Sequence, residues 1–421
     1  MSSRPKILVT SAAGKTGLPT ALQLLEKGYP VRAFVRRLDH RSQKLERAGA
    51  EIFTGNQYAL RDMQTAMLDV QRAYQCAPTA PNGLHFNAVF TAAAYEAGLE
   101  HVVTLSQWLS SQDHPSLFTR EVYLGDILIS MRPDMTVTTI NVGWFADNYL
   151  MVLDMAAHLG LLAMPLGDGD AKTNAPPSND DIASVVVGAL CDPARHAGKT
   201  YRPTGPELLS PNEIPAAMGK ALNRRDRYRN ISENMMLKAR RAHPPSNYSE
   251  AAVSQLAIYA AEYRRGTFAV NAPTTDVQNV GGREPKNFEA IVREAMAERP
   301  DLGPSFARKL QAMAGFVKLL ATTPPDISGI EAGKDFVQLA NPAFSQDDPH
   351  WCASHQHNPR RSLEYPAEPP ATSLHAVTEH PTPDLPRAFQ CPALQHFSIA
   401  TAGLQEILPQ PICRSCRNCA P

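Results

Sequence analysis

Between Lys6 and Val142 the chain repeats one unit: a short β-branched run, a turn, then an amphipathic stretch. The strand-like runs are KILVT, VRAFV, EIFTG, RAYQCA, HVVTLS and VTTINV. Helical periodicity falls between them at Leu18 to Lys27, Ser42 to Ala48, Leu60 to Leu68, Leu84 to Ala97 and Glu121 to Met131. A helix between two strands returns the chain in its original direction, so such strands pair in parallel and need helices over both faces. The pattern predicts an α/β fold with six parallel strands in a doubly wound sheet, spanning 1–150.

Past Asn148 the alternation decays. The stretch from Asp180 to Leu190 opens with carboxylates ahead of an apolar face, as a helix start does. KTYRPTGP reads as a late strand and turn, and SPNEIPAAMGKAL as a helix capped by Ser210 with Glu213 three residues on. Helices at Ser249 to Arg264 and Pro285 to Ala297 complete a smaller C-terminal α+β substrate-side subdomain over 151–300. A helical extension with a helix from Pro304 to Leu320 fills 301–350. No lysine follows Lys334, and 11 prolines fall in the last 65 residues. Such a segment sustains neither helix nor ladder, so 351–421 is expected to be a disordered tail that adds nothing to folding.

The run ILVTSAAGKTG joins the first strand to the first helix, where a doubly wound fold of Rossmann type seats a dinucleotide pyrophosphate. Gly14 permits close approach of the phosphates, Gly17 lets the helix pack on the strand, and Thr16 offers a hydroxyl. Ser11 stands where the usual fingerprint has its first glycine, which puts the turn's geometry in question. A phosphate loop of the nucleoside-triphosphate type would need a glycine five positions before Gly14, where Val9 sits inside the strand. The second strand ends in Arg36 and Arg37, where selectivity for NAD calls for a carboxylate. A guanidinium there matches the 2′-phosphate of NADP, so NADP(H) is expected and NAD less favoured.

Composition removes other classes. The 41 basic and 41 acidic residues cancel without a basic stripe, so nucleic acid is not an expected partner. No segment approaches about 18 uninterrupted apolar residues, and the N-terminus lacks a signal peptide's apolar stretch, so a cytoplasmic protein without membrane contact is expected. Only Cys76 and Cys191 precede residue 352, which fits a reducing compartment. His101, His114, His158 and His196 lack metal-ligand spacing and are expected in surface or capping roles. Cys413, Cys416 and Cys419 are tightly spaced, but metal binding would need a fourth ligand such as Cys391, and no metal is expected.

The runs TSAAGKTG, VRAFVRR, GAEIFTGN, AGLEHVVTLS, NVGWFADN and DDIASVVVGALCDPARHAGKTYRPTGPELLSPNEI, in that order from Lys6 to Ala297, resemble the NmrA-like family of atypical short-chain dehydrogenases. The resemblance implies that Ser11, Ala12, Ala13, Gly14, Lys15 and Thr16 line the pyrophosphate, with Gly17 behind them, and that Arg36 and Arg37 face the 2′-phosphate. It puts Asn56 and Gln57 beside the adenine, where the family often has an acid, and Cys76, Ala77 and Pro78 at the nicotinamide ribose. Ser106, Tyr123, Val142 and Gly143 join the cofactor contacts, and Trp144, Phe145 and Asn148 lie in the loop that covers the nicotinamide end and shapes the substrate cleft. Members are either oxidoreductases that reduce quinones or azo compounds with NAD(P)H, or regulators that bind the dinucleotide and act through a protein partner.

The related short-chain dehydrogenases use a tyrosine whose pKa is lowered by a lysine four residues on. This chain has no lysine between Lys44 and Lys172, and Ile127 stands four residues after Tyr123, so that dyad is absent. Quinones and azo bonds accept hydride without it, because water or a weak donor such as Tyr123 or Ser106 supplies the proton. No catalytic residue is assigned. The expectation is an oxidoreductase acting on a small aromatic acceptor, stacked on the aromatics after Gly143 unless these are core; the alternative is a redox sensor that binds NADP(H) without turnover.

Overall fold

The computed structural model describes residues 4–78, 82–244, 249–299, 302 and 306–355. Its first half alternates as read: β1 (Ile7–Val9), α1 (Gly17–Glu26), β2 (Val31–Val35), α2 (His40–Arg47), β3 (Glu51–Thr54), α3 (Leu60–Ala66), β4 (Arg72–Gln75), α4 (Gly83–Glu96), β5 (His101–Gln107), α5 (Leu117–Ser130) and β6 (Thr136–Val142). Then follow α6 (Ala146–Leu150), α7 (Leu153–Leu159), β7 (Leu161–Met164), α8 (Asn179–Cys191), β8 (Thr200–Tyr201) and β9 (Arg227–Asn230), with further helices.

The main sheet has seven strands rather than six, in the order β3-β2-β1-β4-β5-β6-β8, every pair parallel. Side chains alternate between its faces. Ile7, Val9, Val31, Ala33 and Val35 join α1 and α8 in one core, while Leu8, Phe34, Ala73 and Val102 join α3 and α4 in another. Two features expected in the substrate-side subdomain therefore belong to the sheet. The helix at Asp180 to Leu190 is a crossover packed on α1, and KTYRPTGP supplies β8 at the far edge. A crossover of this kind needs its helix buried along one side, and nine residues of α8 are buried.

The subdomain has its own core, in which Trp144, Tyr149, Ile214, Tyr263, Phe268, Phe288 and Trp351 meet, and a two-stranded parallel pair, β7 with β9. The expected tail boundary at 351 falls inside a helix, Pro349–His355, whose Trp351 has no exposed surface. A fully buried indole is held by packing, so the folded chain extends past that boundary. The remainder of the expected tail, with Cys391, Cys413, Cys416 and Cys419, lies outside the described residues. Among the described residues no helix is long and apolar enough to cross a membrane.

Candidate dinucleotide site

The strand order reverses between β1 and β4, and ligands of doubly wound sheets bind beyond the strand ends at such a switch point. The turn after β1 occupies it. Ser11 takes φ +47°, the left-handed conformation that a glycine adopts freely. The strain is held by three bonds: its N–H donates to Gln57 Oε1 at 2.9 Å, its hydroxyl to the Cys76 carbonyl at 2.9 Å, and its carbonyl accepts from the Gly14 N–H at 2.7 Å. A Cβ on Gly14 would lie 2.8 Å from that carbonyl, and one on Gly17 2.3 Å. Both glycines are therefore demanded by the turn itself. Thr16 is the N-cap of α1 but its side chain makes no capping bond; the Leu18 N–H is taken by the Gly14 carbonyl at 3.0 Å and Pro19 has none, so α1 brings to the turn the positive end of its dipole rather than a row of free amides.

Several side chains in the turn's neighbourhood point elsewhere than the resemblance implied. The Thr16 hydroxyl accepts from Tyr74 Oη at 3.0 Å and lies 3.6 Å from Cys76 Sγ, both inside the core. Ala12 is buried, Ser11, Ala13 and Gly14 are half-buried, and Lys15 is exposed. Lys15 pairs with Asp147 of α6, which also accepts from Asn179 Nδ2 at 2.8 Å, so the first turn is tied to the loop after β6. Gln57 is buried as the brace of Ser11, whereas Asn56 is exposed and accepts from the Tyr58 N–H at 3.1 Å. Burial pushes the Cys76 thiol up, while Ala77 and Pro78 remain half-buried at the end of β4.

Arg36 and Arg37 are exposed at the end of β2, and neither makes an ion pair or side-chain hydrogen bond among the described residues. The nearest carboxylate on this loop is Asp39, which is already committed. It caps α2, and a side-chain bond from Arg41 holds it well below the usual carboxylate range. Arg41 also donates to the Ala13 carbonyl at 2.9 Å, placing a third guanidinium at the glycine turn. Sequence reasoning missed it, although its place at the start of α2 was a signal.

At the end of β5, Ser106 donates to Asp126 Oδ2 at 2.5 Å and Ser110 to the same oxygen at 3.0 Å. Burial raises the Asp126 carboxyl to about 7, against the lowering effect of the two hydroxyls. An aspartate inside the apolar run of α5 was the available signal for this group. Tyr123 is half-buried, and its phenol is raised, first by burial and then by Asp348, Asp113 and Asp126. These carboxylates act on it in the opposite sense to an activating lysine.

After β6, Val142 is buried, and a Cβ on Gly143 would meet Phe268 at 3.3 Å. Trp144 lies inside the subdomain core, its ring 5.4 Å from Tyr263 and 5.9 Å from Phe268. Tyr149 Oη is 2.9 Å from Tyr263 Oη and accepts from Asn174 at 3.0 Å. Of the two readings of these aromatics, core under the loop is the one found for Trp144 and Tyr149; Phe145 and Asn148 stay half-buried. Three of the four histidines differ from expectation, while His158 is half-buried in the last turn of α7. His101, His114 and His196 are buried rather than superficial, and bond to the exposed Thr136, the buried Glu262 and the half-buried Tyr201. No group of three or more side chains able to hold a metal occurs among the described residues.

A parallel sheet of this order, with a glycine-bearing turn and a helix N-terminus at its switch point, defines a Rossmann-type dinucleotide-binding fold. The family model described as the NmrA-like family matches residues 3–279, and the chain belongs to that family. It is 30% identical over 228 residues to the NAD(P)H azoreductase of Xenophilus azovorans, an alignment covering 53% of this chain and 76% of that one. Among solved structures, the NADPH-dependent quinone oxidoreductase of Escherichia coli in complex with NADPH superposes with a TM-score of 0.59 at 19% identity, covering 69% of this chain and 99% of that one. NmrA, a negative transcriptional regulator, in complex with NADP gives 0.60 at 17% identity, covering 72% and 99%.

Proposed function

We propose that this chain is an NAD(P)H-dependent oxidoreductase that reduces a quinone-like or azo-like aromatic acceptor by hydride transfer, without a tyrosine-lysine dyad, and prefers NADP(H). The observation that carries the reading is the pairing of the glycine turn and α1 N-terminus at the sheet's switch point with two exposed arginines at the end of β2 that make no ion pair among the described residues. The turn's amides receive a pyrophosphate, and Arg36 and Arg37 receive a 2′-phosphate. The likeness to an azoreductase supports the acceptor class. Bound NADPH supplies the hydride, and the reduced acceptor takes its balancing proton from water or a weak donor. The chain's part is then to hold the acceptor against the nicotinamide and exclude bulk water.

NADPH consumption with a panel of quinones and azo dyes tests this, run beside Gly14→Asp, whose Cβ displaces the Ser11 carbonyl and whose carboxylate repels the pyrophosphate. Turnover lost in the variant supports the enzyme. One observation favours a second reading, a redox sensor acting through a protein partner: Tyr123 has carboxylates rather than a cation around it. Tight NADPH binding with no acceptor reduced would decide for the sensor.

Cofactor preference has its own measurement. Arg36→Ala with Arg37→Ala should weaken NADPH by about 30-fold, as expected for losing roughly 2 kcal/mol of charge-assisted bonding, and leave NADH within about threefold. Equal weakening of both in calorimetric titration would remove the preference.

A further inference from the structure

The helix Phe306–Ala321 lies beyond the residues matched by the family. One side rests on α7 and on the helix Glu233–Ala242, with Leu319 buried. Along the other run Phe306, Leu310, Met313, Val317 and Leu320, which are 78, 50, 52, 66 and 54% exposed. They are five of the thirteen large apolar side chains exposed among the described residues, and they form a continuous stripe. A stripe of this kind left in water marks an interaction surface.

The spacing identifies its occupant. The five residues recur at intervals of four, three, four and three, the seam of a two-helix coiled coil with Leu310 and Val317 at one core position and Phe306, Met313 and Leu320 at the other. We infer that this helix pairs antiparallel with the same helix of a second copy, about a two-fold axis at Met313. The pattern is nearly symmetric about that residue. Reversal sets Phe306 against the second copy's Leu320, Leu310 against its Val317, and Met313 against its own counterpart, so the surface is self-complementary as a two-fold interface requires.

Three further observations fit a second copy. The residue after each of Phe306, Met313 and Leu320 is alanine, exposed and small enough for close approach of a second helix. Of the three basic residues, Arg308 and Lys318 fall on positions turned from the seam, and Lys309, which flanks Leu310, falls opposite the second copy's Val317, so pairing sets no two of them face to face. A groove of about 400 Å³ walled by Leu159, Leu161, Met313, Ala314 and Val317 opens beside the axis and receives the second copy's Met313. The stripe offers on the order of 500 Å² per copy, hence on the order of 1,000 Å² in the pair, which is the lower limit for a specific interface and belongs with weak, reversible pairing.

Sedimentation velocity on the full chain, from about 1 to about 100 μM to bracket such weak pairing, should show a monomer-dimer equilibrium. Met313→Glu with Val317→Glu should remain monomeric throughout, with unchanged circular dichroism because both side chains are exposed in the monomer. Met313→Cys should cross-link to itself on mild oxidation, with the linked peptides of the two copies mapping to residue 313 by mass spectrometry. A wild-type monomer at all concentrations would overturn the inference, including one whose stripe instead captures lipid vesicles or a different protein. So would a dimer indifferent to the double substitution, or one whose cross-link at residue 313 fails to form.

Discussion

Replacing Trp351 by alanine is expected to lower stability by about 3–5 kcal/mol, the range for deleting a fully buried large aromatic. Its indole has no exposed surface, stacks on His355 at 4.5 Å, meets the Trp108 ring edge-on at 5.7 Å and donates to the Trp108 carbonyl at 2.8 Å. Alanine leaves a cavity in the subdomain core and a carbonyl without its donor, two costs that add. The loss also reaches the end of β5, because Trp108 follows that strand and lies under the Arg202 guanidinium, 3.5 Å from its ring. Neighbouring bonds from Ser111 to Asp348 at 2.5 Å and from the Ser345 N–H to Glu262 at 2.7 Å tie the same segment down. The melting temperature should fall by about 5 °C for a cooperative unit of this size. Trp351→Phe, which keeps most of the packed volume, should lose less than half as much. A shift below about 1 °C for the alanine variant would mean that this helix is dispensable and the expected boundary at 351 functionally right.

What the sequence disclosed and what it withheld divide along a physical line. VRAFV and HVVTLS were legible because strands of a parallel sheet are covered on both faces and so read as continuous apolar runs. The strand RYRN was not, since β9 is short, charged and mostly exposed, and pairs only with β7 some sixty residues earlier in the chain. β8 was read as a strand but placed in the wrong layer, because nothing local to KTYRPTGP records which edge the crossover reaches. The same distinction holds at the site. The glycine turn was visible, yet Thr16, Gln57 and Trp144 turn inward on account of Tyr74, Ser11 and Tyr263, partners at least forty-six residues away in each case. Ser11 departs from the glycine fingerprint by letter and keeps its conformation, because the bonds to Gln57, Cys76 and Gly14 hold a positive φ that its own preference opposes.

Asp126→Asn is expected to change the pH dependence of folding more than any other single substitution in the cofactor domain. The wild-type carboxyl is raised from its ordinary 3.8 to about 7, with burial as the leading cause. A raised pKa means the folded state binds this proton more tightly than the unfolded chain does. Its contribution to stability is therefore complete below about pH 4 and is lost as pH rises through 7. About three pH units at 1.36 kcal/mol each set a ceiling of roughly 4 kcal/mol on that loss. An asparagine oxygen accepts the Ser106 and Ser110 hydroxyls as the carboxyl oxygen does, and it does not titrate. Glu121, also raised to about 7 by burial, bends both proteins' curves alike and cancels in the comparison. Urea melts at pH 5 and pH 8 should place the variant within about 1 kcal/mol of wild type at the lower pH, and about 2–4 kcal/mol above it at the higher. The same difference at both values would mean that the carboxyl titrates at its ordinary pKa, and that the bonds from the two serine hydroxyls outweigh burial in setting its charge.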